Sequence, residues 1–316
     1  MRYTTFVIML ILTGVAGYAE PYGGQLLNGF DLSNSIIPSK EIIRGGPPKD
    51  GIPAIDKPNF LLHPEKTRLR DNHQVLGVFY NGIAKAYPIS IMNWHEIVND
   101  SYGADPVVIT FCPLCGSGMA FKANVKGISL RFGVSGLLYN SDVLLYDRKS
   151  NSLWSQILGQ GVTGEYKGTI LQQVPVEHTT WQQWRDHYPD TQILSFSTGF
   201  SRNYQQNPYE GYSANPETYF PVKFKARGLH PKEMVLAINL DGKSKAYPFV
   251  ELAKGETVVE DRIGDIEVSV SYFPEHNSAI MTNKQGGKLP AITLFWFAWA
   301  AFHPDTSIYR AESHYQ

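Results

Sequence analysis

Cys112 and Cys115 are the only cysteines in a chain of 316 residues, and they stand three positions apart in FCPLCGSG. A lone Cys-x-x-Cys pair is open to three chemistries: a local disulfide, a reactive dithiol of lowered pKa, or half of a tetrahedral metal site. Thiolates select soft or borderline ions, which makes copper(I) or zinc the expected metal. A disulfide across so short a loop would contribute little chain-entropy stabilisation. His95 is the first candidate for a third ligand. Ile91, Trp94, His95 and Val98 recur at helical spacing within 89–99, which turns His95 inward while Asn93 and Glu96 face away. Two thiolates and one imidazole would make an open three-ligand site, with His276 or Asp142 as the possible fourth ligand. Each has a plainer reading: His95 as a core histidine bonded to the backbone, Asp142 as turn chemistry in Asn140-Ser141-Asp142. His178 is a further candidate.

The elements that must position these residues can be read from pattern. Val107, Val108, Ile109, Thr110 and Phe111 fit a mostly buried strand, and Pro113, Gly116 and Gly118 break it into a turn. Upstream, Val75–Pro88 reads as two alternating strands about Asn81-Gly82, a strong hairpin signal. The pattern returns at Val235–Pro248 about Asp241-Gly242, with Lys85-Ala86-Tyr87-Pro88 repeated as Lys245-Ala246-Tyr247-Pro248. Further on, Trp181, Trp184 and Thr191 match Trp296, Trp299 and Thr306. In the second copy Phe273 and His276 replace the cysteines and Gly255 replaces His95, so the candidate site belongs to the first copy alone. The first copy also carries an insertion over roughly 127–169, in which Trp154 and Gln156 could line a pocket while Tyr139, Asp147 and Arg148 read more plainly as turn residues.

The expected fold is α+β: mainly antiparallel β with short helices, in two tandem pseudo-symmetric units plus a wrapping N-terminal arm. The expected divisions are a leader over 1–19, the arm over 20–74, the first unit over 75–197, a linker over 198–234 and the second unit over 235–316. Residues 1–19 have a basic tip, an uncharged apolar run and the small-x-small ending Gly17-Tyr18-Ala19, the pattern of a signal peptide cleaved near Ala19. The protein is therefore expected to be periplasmic or secreted. The apolar run Ala291–Phe302 is too short to span a bilayer. With 28 basic and 29 acidic residues and no basic block, nucleic acid is excluded as the expected partner, leaving a metal ion or small molecule. No nucleotide loop, HExxH helix or GxSxG elbow occurs.

The segments FCPLCGSG, FGVSGLLYNSDVLLYDR, SLWSQ and WHEIVND resemble the signatures of a widespread family of exported bacterial and archaeal proteins, domain of unknown function 3179. The resemblance implies export and a central Cys loop, and brings no reaction, cofactor or catalytic residue with it. The functional expectation is thus a soft-metal protein using Cys112, Cys115 and His95. Two alternatives stand beside it: a thiol–disulfide oxidoreductase with Cys112 as nucleophile and Cys115 as resolving partner, and a structural module with an inert local disulfide. Against the oxidoreductase, the Cys loop lies in no βαβ pattern and no helix begins at a cysteine to lower its pKa.

Overall fold

Two dipeptides organise much of the local geometry. Asn81 and Gly82 have φ of +50° and +74°, and Asp241 and Gly242 have +49° and +78°, in the computed structural model, which describes residues 26–225 and 227–311. Positive φ at both central positions makes a two-residue hairpin turn that matches the strand twist. Val75 accordingly pairs with Pro88 and Tyr80 with Ile83, as Val235 pairs with Pro248 and Leu240 with Lys243. The proposed leader and its cleavage point lie outside the described residues.

The repeated residues do the same physical work in both places. Lys85 and Tyr87 lie on one face of their strand, where Lys85 Nζ meets the Asp100 carboxylate at 2.9 Å and the Tyr87 hydroxyl donates to it at 2.6 Å. Lys245 and Tyr247 meet Asp261 at 2.5 and 2.9 Å. Helix α1 (Ile89–His95) follows the first hairpin and α3 (Phe249–Leu252) the second. The tryptophans lie on α2 (Trp181–His187) and α4 (Trp296–Phe302), and each helix leads back to a short strand running parallel to the hairpin's second strand. Trp184 Nε1 donates to Thr191 Oγ1 at 2.8 Å, and Trp299 Nε1 to Thr306 Oγ1 at 2.9 Å. Both Trp184 and Thr191 are buried. Thr191→Val, which leaves the indole N–H unpaired, is expected to cost about 1–3 kcal/mol in urea denaturation; an unchanged midpoint would show that the bond contributes nothing.

The architecture differs from the expected α+β pair of tandem units with a wrapping arm. The chain is mostly antiparallel β in small sheets arranged as a five-bladed β-propeller, with few short helices. Strand pairing gives the reason. The hairpin sheets (Gln74–Tyr80 with Ile83–Pro88, and Met234–Leu240 with Lys243–Pro248) are separate from the meanders that follow them, 97–122 and 258–283. The insertion builds a fifth sheet of its own from Phe132–Tyr139, Asp142–Asp147, Leu153–Ser155 and Gln160–Gly161. The arm is absorbed as edge strands, Ile42–Arg44 joining the insertion sheet and Phe60–Leu61 the first hairpin sheet. Among the described residues no helix is long and apolar enough to cross a membrane.

Candidate metal centre

The strand Asp105–Cys112 delivers the first thiol, and Cys112 pairs with Ser117, so residues 113–116 form the turn. The Cys115 N–H donates to the Cys112 carbonyl at 3.2 Å, and Gly116 has φ +62°. A Cβ on Gly116 would stand 3.2 Å from the Phe295 ring, while Phe295 N donates to the Cys115 carbonyl at 2.8 Å. The loop is therefore clamped against the strand Ile292–Phe295 of another blade. Both cysteines are free thiols, 1% and 0% exposed.

Facing them is the tip of the insertion hairpin. Tyr139 pairs with Asp142 across Asn140 and Ser141, whose φ values are +51° and +64°. Asparagine tolerates this region, but serine does so at a conformational cost, so Ser141 has to be held. Its Oγ donates to the Phe220 carbonyl at 2.8 Å, and its own carbonyl receives the Cys115 and Cys112 thiols at 3.5 and 3.8 Å. Asn140 donates to the Ala301 carbonyl at 3.2 Å and accepts from Lys223 N at 2.9 Å. The tip thus aims Asp142 at the thiols. The two sulfurs and a carboxylate oxygen of Asp142 all lie within 4.8 Å of one another. Asp142 Oδ2 accepts from Ile157 N at 3.1 Å, whereas Oδ1 is buried with no hydrogen-bond partner.

The electrostatics are one-sided. Burial pushes the Asp142 carboxyl up to about 7, partly offset by the Ile157 N–H and the thiols. Glu96 is pushed up to about 8, by burial and then by Asp142. Burial also raises both thiols, more so at Cys115, with Asp142 adding to each and Glu96 to Cys112. None of these four groups has a basic partner among the described residues. Three buried acids within reach of one another, one with an orphaned oxygen, and a fourth, Glu96, bearing on them electrostatically, make a cation-free cluster whose Cys112, Cys115 and Asp142 suit a metal ion. Two sulfurs and one oxygen suit zinc, and the sulfurs alone suit copper(I). Reactive dithiols have lowered pKa values and accessible sulfur, and this pair has neither.

The histidines are placed elsewhere. Helix α1 ends at His95, not at Asn99 as the spacing predicted, because Glu96 takes a left-handed φ of +57° and its carbonyl is captured by Phe111 N at 2.7 Å. The β-branched Ile97 and Val98 then open a strand. His95 is fully buried, with Nδ1 2.8 Å from the Pro53 carbonyl and Nε2 2.7 Å from the Tyr204 hydroxyl. It is not in the thiol cluster. His276 Nδ1 lies 2.8 Å from Thr180 Oγ1 and Nε2 3.6 Å from Glu275. His178, pushed down to about 4 by burial, stands edge-on to Phe111. Sequence reasoning missed Glu96, expected to face away, and Tyr209 and Tyr212, whose phenols are raised first by burial and then by the neighbouring acids. The single signal for Glu96 was its place between a helical pattern and a β-branched pair.

Fold and site together define a β-propeller protein with a buried dithiol–carboxylate cluster. The family described as protein of unknown function (DUF3179) matches residues 49–289, and the chain belongs to it. No curated protein and no solved structure matches the chain.

Proposed function

We propose that this is an exported metal-binding protein that holds one zinc ion through Cys112, Cys115 and Asp142, with copper(I) as the competing ion. What carries the reading is the cation-free cluster of buried acids around the orphaned Asp142 oxygen. Asp142 takes the third ligand position earlier assigned to His95, whose ring nitrogens are engaged by Pro53 and Tyr204. A carboxylate ligand favours zinc over copper(I), since hard oxygen suits the harder ion. Glu96 bears electrostatically on Asp142 and Cys112 without joining the three-ligand group, so the fourth position falls to water. The ion would be held rather than displayed, because the ligands are closed off from solvent.

The test is a zinc titration of the reduced chain against a chromophoric chelator. One equivalent should bind with release of protons from the thiols. Both thiols should stay unreactive to a disulfide reagent in the native state and react after denaturation. Failure to retain either zinc or copper(I) in the folded chain would refute the reading. Export is proposed from residues 1–19, and the mature chain should then begin at Glu20.

A further inference from the structure

Away from the thiols, a cavity of about 1100 Å³ opens between residues 68–74, the first turn of α1 and the loop 196–207. Arg68, Arg70 and Arg202 line it, and its lining holds no aspartate or glutamate. None of these three guanidiniums makes an ion pair with a carboxylate among the described residues. Like charges gathered on one cavity repel one another unless an anion lies between them. Arg70 Nε donates to His73 Nε2 at 3.2 Å, and both side chains line the space. Ile89, Phe196 and Phe200 add apolar surface to the same lining.

The loop that closes the cavity is fastened in advance. His95 Nε2 meets the Tyr204 hydroxyl at 2.7 Å, Trp94 Nε1 donates to the Gln206 carbonyl at 3.1 Å, and Asn93 Nδ2 donates to Asn207 Oδ1 at 3.2 Å. A wall set before binding spares a ligand the cost of ordering it. His95 thus fixes the Tyr204 hydroxyl in the wall of this cavity.

We infer that the cavity binds a small organic anion, with its phosphate or carboxylate on Arg68, Arg70 and Arg202 and a flat apolar body against Phe196 and Phe200. Guanidinium forks recognise both anions in two-point fashion, and the volume suits a ligand of small-molecule size. The inference is independent of the metal site.

Calorimetric titration of the full mature chain at low salt with phenyl phosphate, benzoate and phenol tests it. At least one of the two anions should bind once per chain, and phenol, which lacks the charge, should not. Tighter phenyl phosphate identifies a phosphate ligand and tighter benzoate a carboxylate one. Arg68→Gln/Arg70→Gln/Arg202→Gln should weaken binding by roughly tenfold or more, because charge-assisted contacts are lost together. All three arginines are exposed, so the fold should survive; Arg202→Gln alone, with a severalfold loss, is the check if it does not. Failure of both anions to bind, or an affinity unchanged in these variants, overturns the inference.

Discussion

Cys112→Ser and Cys115→Ser should each lower zinc affinity by roughly 100-fold or more, a larger loss than the 10–100-fold typical of outer-shell partners. Serine keeps the shape but stays protonated, and so brings no charge to the ion. Asp142→Asn should lower affinity by roughly 10–100-fold, since the amide oxygen can still reach the ion without its charge. His95→Ala and His276→Ala should leave zinc affinity unchanged, because both rings are bonded elsewhere. Affinity measured by chelator competition on folded protein is the readout, not thermal stability, because emptying a buried position destabilises the chain whatever its role. If His95→Ala were to cost as much as Cys112→Ser, the ligand set proposed here would be wrong.

The site also depends on the segment that holds its turn. The side chains of Asn140 and Ser141 bond the backbone of Lys223 and Phe220, so the turn that aims Asp142 is held by a segment 79 to 83 residues further along the chain.

Much of the site was legible because its signals are local. The β-branched run ahead of Cys112 and the glycines after it specify a strand and a turn, and Asn-Gly and Asp-Gly specify the hairpins. What could not be read is long-range. The two-residue strand Phe60–Leu61 and the three-residue strand Ile42–Arg44 are too short to show alternation, so an arm built into two blades reads as a wrapping segment. Matching segments in one order suggested two bodies, whereas their strands are shared out among separate sheets. Helical spacing places His95 on the buried face, as found, but shows neither which partners its ring meets, here Pro53 and Tyr204 rather than the thiols, nor where the helix stops. One left-handed residue, Glu96, ends α1 a turn early, and its buried carboxyl bears electrostatically on Asp142 and Cys112.

The metal-free chain should lose stability as pH rises from about 6.5 to 8.5, by on the order of 2–3 kcal/mol. Asp142 has an ordinary value of 3.8 and about 7 in the fold, and Glu96 4.5 and about 8. A carboxyl raised on folding contributes its full stability below the unfolded value, where both states hold the proton, and loses it as pH climbs through the folded value. That loss begins near pH 4, but there it is masked. His178 and His303 are both pushed from 6.5 down to about 4 by burial, and a depressed histidine contributes stability above 6.5 that disappears as pH falls. Between pH 4 and 6.5 the two slopes oppose each other. Above 6.5 the histidines have finished titrating and the carboxyls have not. Asp142 then has about half a pH unit left to lose and Glu96 about one and a half, each unit worth about 1.4 kcal/mol. Urea denaturation at pH 6.5 and 8.5 measures the fall. Asp142→Asn/Glu96→Gln, which cannot ionise at either position, should flatten it, and saturating zinc should reverse it, because an ion that displaces protons binds more tightly as they become scarce. A wild-type slope that persists in the double variant would place the titration outside this cluster, and the four buried acids would no longer account for the chain's behaviour above neutral pH.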